Sequence, residues 1–184
     1  MTTKKHYYKT IYADPPWAER GSGKCKRGAD KHYSVMKTKD IIDLSSFVKS
    51  LTNPDGAHLY LWVTNNFLPD GLRVMDAWGF RYVTKIDWLK DREGLGQYFR
   101  GLTESCLFGV IGNLPYKLTD DGGRCQGVTG FYAPKKRHSE KPSQMRRMIE
   151  TVSYPPRIEL FSRKFIDGWD LMGDELAKPT NTLF

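Results

Sequence analysis

The sequence predicts an α/β domain of three layers, with helices on both faces of a mainly parallel sheet. Three observations carry that expectation. Strand-like apolar runs alternate with segments whose apolar residues recur at helical spacing, in the order strand, helix, strand, helix, strand, strand, helix, strand. The first run, Tyr7 to Ala13, holds β-branched and aromatic residues and stops at Asp14-Pro15-Pro16-Trp17. A chain of 184 residues with 39% apolar content is large enough for one core, and no repeat, low-complexity tract or linker divides it, so residues 1–184 are expected to form a single domain.

Each element has its local reason. Tyr7 to Ala13 is the first strand; Pro15 and Pro16 end it because they lack N–H groups and fix φ. Ala18 to His32 is a cationic, glycine-containing loop. Thr38 is the expected N-cap of a helix from Lys39 to Leu51, with Ile41, Leu44, Val48 and Leu51 at core-facing spacing. Asn53-Pro54-Asp55-Gly56 is a turn and Ala57 to Val63 a buried strand, closed by Thr64-Asn65-Asn66. A helix follows from Phe67 to Trp78, with Leu72, Met75 and Trp78 apolar and Gly79 as its stop. Phe80 to Leu89 and Glu104 to Ile111 read as strands around a charged loop, Lys90 to Thr103. Gly112 to Arg137 is long and turn-rich. A helix from Pro142 to Val152 turns Met145, Met148, Ile149 and Val152 to one side, Tyr154-Pro155-Pro156 breaks it, and Arg157 to Ser162 is the last strand. Trp169 to Leu176 reads as a loop into a short helix.

Composition narrows the classes of function. The formal charge of +8 favours a polyanionic partner. Cys25, Cys106 and Cys125 are far apart, and neither they nor the histidines show metal-ligand spacing, which argues for a reducing compartment and against structural zinc. No signal-type or membrane-length apolar run is present, so a cytoplasmic protein without membrane contact is expected. There is no Gly-x-x-x-x-Gly-Lys and no Gly-x-Gly-x-x-Gly, which disfavours triphosphate and dinucleotide chemistry.

In open α/β sheets ligands bind outside the carboxyl ends of the strands. Asp14 and Ser162 both stand at such ends and are expected on one rim. There, a carboxylate, acceptor carbonyls of two prolines and a flat indole suit a planar base bearing an exocyclic amino group: Asp14 and a proline carbonyl accept its two N–H hydrogens, and Trp17 covers a ring face. Read alone, the tetrapeptide is equally a turn with Trp17 as a hydrophobic anchor. Basic clusters flank it in sequence, Lys24, Lys26, Arg27 and Lys31 after the motif and Lys135, Lys136 and Arg137 later, as expected of contacts to a nucleic-acid backbone.

Five pieces in order, Asp14-Pro15-Pro16-Trp17, Leu61-Trp62-Val63-Thr64-Asn65, Trp78-Gly79-Phe80, His138-Ser139-Glu140-Lys141-Pro142 and Arg157-Ile158-Glu159-Leu160-Phe161-Ser162-Arg163, resemble the adenine N6-methyltransferases of MT-A type. That group is typified by the catalytic subunit of the eukaryotic mRNA adenosine methyltransferase and includes bacterial and phage DNA adenine methyltransferases. The likeness runs from about Tyr12 to Leu176.

The resemblance implies a Rossmann-like methyltransferase domain in permuted motif order, with S-adenosyl-L-methionine as donor; the cysteine and histidine spacing adds the expectation of no metal. It makes Asp14, Pro15, Pro16 and Trp17 the catalytic motif. It places Asp14, Lys141, Glu159, Phe161, Ser162, Arg163, Asp174 and Glu175 at the cofactor, with Ser162 standing where the family has glycine. It places Trp17, Tyr33 and Asn65 at the target base. The implied reaction is methyl transfer to the N6 amino group of adenine in DNA, favoured over RNA by the compact chain. An RNA enzyme, an inactive nucleic-acid-binding partner subunit and a small-molecule or protein methyltransferase remain the alternatives, and a homodimer or a partner subunit is compatible with each.

Overall fold

The computed structural model describes residues 7–18, 35–96, 98–114, 116–135, 140–163 and 165–173. In chain order they form β1 (Thr10–Ala13), α1 (Thr38–Asp43), α2 (Ser45–Leu51), β2 (Gly56–Val63), a 3-10 turn (Asn65–Phe67), α3 (Leu68–Ala77), β3 (Arg81–Leu89), β4 (Thr103–Gly112), β5 (Gly130–Tyr132), α4 (Ser143–Val152), β6 (Arg157–Leu160) and β7 (Asp170–Met172). The seven strands make one sheet in the order β5-β3-β4-β2-β1-β6-β7. β1 pairs parallel with β2 and β6, β6 with β7 and β3 with β5, while β4 runs antiparallel between β2 and β3. The expected α/β architecture with a mainly parallel sheet is therefore what the chain adopts.

β1 is four residues long and wholly buried, because its two faces belong to two different cores. Ile11 and Ala13 join Leu59, Leu61 and Val63 of β2, Leu107 of β4 and Leu160 of β6 beneath Ile41, Val48, Val74, Met75 and Trp78 of α1 to α3. Tyr12 joins Tyr60, Trp62, Trp88 and Cys106 beneath Met145 and Ile149 of α4. The period-2 alternation of the strands thus feeds helices on both sides, which is the three-layer arrangement. Each tryptophan N–H is bonded: Trp17 to the Trp62 carbonyl, Trp62 to the Tyr12 hydroxyl, Trp78 to the Ile41 carbonyl, Trp88 to the Ala133 carbonyl and Trp169 to Glu150. Buried indoles require this, since an unpaired N–H in the core is costly.

Several expectations are corrected. The helix expected over Lys39–Leu51 is two helices that meet at Leu44. Thr38 does not cap it; Lys37 is the N-cap, its N–H donating to Asp40 Oδ2 (3.3 Å), and the Thr38 hydroxyl instead reaches across to Asp70 of α3 (3.0 Å). Val74 takes the core position expected of Leu72, which is 38% exposed. β5 forms inside the segment expected to be turns, because three residues suffice to add a parallel edge to β3. The start of the Trp169–Leu176 segment is strand β7, paired with β6, where a loop was expected; its continuation from residue 174 lies outside the described residues. No helix among the described residues is long and apolar enough to cross a membrane.

α3 lies close on the sheet through Gly71, where a Cβ would sit 2.3 Å from Val63 Cγ1 and 3.0 Å from Leu107 Cδ1. Gly71→Ala is expected to lower stability by about 1–3 kcal/mol through overpacking, read by denaturant unfolding. On the other face His58 donates to or accepts from Ser153 Oγ (2.8 Å), which also meets the Tyr60 hydroxyl (2.8 Å). Burial lowers the His58 pKa from 6.5 to about 4. The unfolded chain therefore takes up this proton first, so the stability carried by the neutral ring is complete above pH 6.5 and is lost as the pH falls toward 4. The expected loss is up to about 3 kcal/mol, and His58→Gln flattens that part of the stability profile.

Candidate active site

The parallel strands all deliver their carboxyl ends to one rim, and β4, running the other way, brings its amino end there. β1 leads to helices on one face and out to β2, whereas β6 leads in the opposite direction to β7. The crevice between the ends of β1 and β6 is thus a topological switch point, where such sheets bind ligands. Asp14 follows β1, and Phe161 and Ser162 follow β6, so the two expected rim residues leave the carboxyl ends of neighbouring strands.

The charged centre of the rim is Lys141. Its Nζ lies 2.8 Å from Asp14 Oδ1 and 2.9 Å from Oδ2, and 3.4 Å from Glu104 Oε2 at the amino end of β4. Glu104 Oε1 accepts in turn from Lys90 Nζ (2.7 Å) at the carboxyl end of β3. The Lys141 ammonium also stands over the Trp62 ring at 5.4 Å and that of Lys90 over Trp88 at 5.0 Å. Two carboxylates and two ammonium groups thus alternate along the rim, Asp14, Lys141, Glu104, Lys90. Burial on its own would lower the Lys141 pKa, but Asp14 and Glu104 outweigh it and hold it above the ordinary lysine value. Burial likewise opposes charge on Glu104, and Lys141 and Lys90 overcome it, so this carboxyl stays below the ordinary range. Cys106, fully buried on β4, is pushed well up by burial and by the Asp14 charge, and remains a thiol of the core.

Trp17 is not an open stacking face. It is 5% exposed, packs on Phe67 with centroids 5.3 Å apart, and donates its N–H to the Trp62 carbonyl. Of the two readings of the tetrapeptide, the hydrophobic anchor describes this side chain. The proline carbonyls are not free either: Pro15 O accepts the Trp17 N–H (2.9 Å) and Pro16 O the Met36 N–H (2.8 Å). A carbonyl has two lone pairs, so Pro15 keeps one. These bonds fix the loop and aim Asp14 at the rim.

Glu159, expected at the cofactor, is 6% exposed, and both its oxygens accept from Arg146 (2.7 and 2.8 Å), fastening α4 to β6. Phe161 turns out of β6 at φ +62°, a conformation that side chains other than glycine seldom hold, and Ser162 follows it, buried, with its N–H on the Met172 carbonyl (3.0 Å). Arg163 is half-buried beside them. Asn65 is exposed on the rim, 3.5 Å from Thr103 Oγ1. The Lys135 N–H meets Asp91 Oδ1 (2.7 Å) near the end of β5. Tyr33, Asp174, Glu175, Lys24, Lys26, Arg27, Lys31, Lys136 and Arg137 lie outside the described residues.

Glu104 and Lys90 were not singled out from the sequence. The available signal was that each is a charged residue at the boundary of an apolar strand, one closing β3 and the other opening β4.

A family model described as MT-A70 matches residues 8–175. The chain belongs to the MT-A70 family. Members of this family are S-adenosylmethionine-dependent N6-adenine methyltransferases, and the fold class and the resemblance read from the sequence agree with it. The chain is 30% identical over 189 residues to the Type II methyltransferase M.MunI of Mycoplasma sp, covering 92% of this chain and 78% of that protein. It is 28% identical over 181 residues to the N(6)-adenosine-methyltransferase MT-A70-like protein of Arabidopsis thaliana, and over 184 residues to the N(6)-adenosine-methyltransferase catalytic subunit METTL3 of Homo sapiens. Those matches cover 90% and 92% of this chain but only 23% and 28% of the two relatives, so it spans about a quarter of their length.

Lys141→Ala leaves Asp14 and Glu104 without their shared cation. An expected loss of roughly 1–3 kcal/mol at pH 7 follows, modest because the groups keep some solvent. Glu104, held below its ordinary 4.5, contributes stability that is complete above that pH and lost as the pH falls through the folded value. Unfolding measured from pH 7 to 3 is expected to show that acid-side slope in the wild type and to show it reduced in the variant.

Proposed function

We propose that this MT-A70 member transfers the methyl group of S-adenosyl-L-methionine to the N6 amino group of adenine in DNA. The observation that carries the reading is the Asp14 carboxylate, fixed by Lys141 at the switch-point crevice of the sheet. The donor set fits the cofactor: a ligand with a sulfonium cation and a zwitterionic tail needs an anionic and a cationic side chain on one rim, and Asp14 and Lys141 supply both. Asp14, Lys141 and the turn Phe161-Ser162-Arg163 would hold it, Lys141 facing its carboxylate. When bound, it supplies an electrophilic methyl group.

The chain's own residues do the rest. The adenine amino nitrogen is a weak nucleophile because its lone pair is delocalised into the ring. Asp14 and the remaining lone pair of Pro15 O accept its two hydrogens, which favours a pyramidal nitrogen with its lone pair free to attack. As the N–C bond formed, the bond from the methyl carbon to the donor's sulfur would break, leaving a neutral thioether, and the surplus proton of the now acidic amine would leave along the hydrogen bond to Asp14 or to water. Positioning and the fixed carboxylate supply most of the acceleration. Asn65, exposed on the same rim, would contact the target base or its neighbour. The net charge of +8 supports a nucleic-acid substrate, and the 78% coverage of a bacterial Type II methyltransferase supports DNA over RNA.

Purified protein is incubated with labelled donor and, in parallel, duplex DNA, single-stranded DNA and RNA, followed by nucleoside mass spectrometry. N6-methyladenine in DNA is the expected product; label in RNA alone would replace DNA as the substrate. Asp14→Ala is expected to lower the rate at least about a hundredfold with donor binding still measurable. Wild-type turnover by this variant sinks the mechanism.

A further inference from the structure

Two ion pairs join the α4 segment to the strands of the switch point. Glu159 of β6 lies opposite Tyr12 of β1, and both side chains turn toward α4, Tyr12 beneath Met145 and Ile149 and Glu159 to Arg146. Asp14, two residues past Tyr12, meets Lys141, two residues before α4. Asp14–Lys141 and Glu159–Arg146 are thus neighbouring pairs on one face of the crevice. Their side chains keep 23%, 13%, 8% and 21% exposure in that order, so none is sealed from it. Arg146 Nε and Nη2 donate to the two Glu159 oxygens (2.7 and 2.8 Å), and the guanidinium stands 5.7 Å from the centroid of the Tyr12 ring. Burial works against charge on Arg146, but Glu159, with Asp14 beyond it, holds the pKa above the ordinary arginine value. A planar fork takes one lone pair of each carboxylate oxygen and leaves the other, so Glu159 remains an acceptor whose plane is fixed.

We propose that Arg146 is a positioning residue for the methyl donor, holding Glu159 so that its carboxylate accepts from the donor's α-ammonium group. The inference rests on the proposed use of S-adenosyl-L-methionine. The amino-acid end of that ligand carries a carboxylate and an ammonium, and Lys141 answers only the first. Asp14 has both oxygens on Lys141 and, in the proposed reaction, also serves the adenine amine. Glu104 stands on β4, with β2 and β1 between it and β6, and its two oxygens already accept from Lys90 and Lys141. Glu159 stands on the strand that leads into Phe161-Ser162-Arg163, the turn that would hold the donor. Stability alone does not account for the fork, since Met145 and Ile149 already seat α4 and a buried ion pair adds little over an apolar contact.

The test follows binding to the full chain by calorimetry, without turnover, for S-adenosylhomocysteine, its analogue lacking the amino group, its decarboxylated analogue, and methylthioadenosine, which has no amino-acid end. In the wild type, loss of the amino group alone is expected to raise the Kd roughly tenfold. Equal binding of that analogue overturns the inference without any variant. Arg146→Lys keeps the charge but not the fork, and Glu159→Gln keeps the shape but not the charge. Each is expected to raise the Kd of the two ligands that carry the ammonium roughly tenfold and to leave the other two within about twofold. Equal losses on all four ligands, or no loss on any, reduce the pair to a fastening of α4 and overturn the inference. A loss confined to the two ligands with a carboxylate assigns Arg146 to that group and overturns it as well. Wild-type methylation of nucleic acid beside variants with unchanged affinities overturns the inference alone. The expected pattern in a protein that methylates nothing keeps the inference and removes the reaction; a wild type that binds none of the four ligands overturns both.

Discussion

One ammonium group holds the rim together. Lys141 stands between Asp14, which follows β1, and Glu104, which opens β4, so a single charge spans elements 127 and 37 residues away in the chain. Without that cation two carboxylates would share a partly buried rim with no common partner between them. With it, both oxygens of Asp14 are held in one orientation at the end of β1. The Glu104–Lys90 bond repeats the device one strand further on, and the cluster is neutral as a whole. A neutral, internally paired cluster suits a ligand that brings its own pair of charges.

The sheet makes this possible through one reversed strand. Were β4 parallel to its neighbours, its amino end would lie on the opposite rim and Glu104 with it. Running antiparallel between β2 and β3, it places Glu104 next to Lys90, its partner at the connected end of the same hairpin. The reversal also turns the β3–β4 connection into a hairpin that projects from the rim carrying Asp14 and Lys141. The tight turn at Pro15, Pro16 and Trp17 supplies the second constraint: the buried Trp17 ring anchors the loop in the core, and the carboxylate next to it cannot wander.

Much of this was legible in advance, for identifiable reasons. The β-branched run before Asp14-Pro15-Pro16, the stripe Met145/Ile149 on α4 and the alternating apolar segments are local patterns whose period reports burial, and the sheet and its layers followed from them. β5 and β7 escaped because three-residue edge strands carry too little periodicity to stand out from turns. The split at Leu44 escaped because both halves keep the same stripe. At the site, Asp14 and Lys141 were recognisable as motif residues. Trp17 kept two readings, since an indole after Pro-Pro is equally suited to a base or to the core, and its burial against Phe67 chose the second for its ring. Glu159 was placed at the cofactor by its position in a motif, and its pairing through both oxygens with Arg146 of the preceding helix is a contact that the motif did not announce.

The sequence by itself determined the alternation of strands and helices, the abrupt end of β1 and the residue types at the motif positions, because these depend on neighbours a few residues apart. The tertiary structure alone decided which charges meet. The contacts of Lys141 with Asp14 and Glu104, of Lys90 with Glu104 and of Glu159 with Arg146 depend on strand order and direction, which bring distant residues within about 3 Å and leave no trace in local spacing.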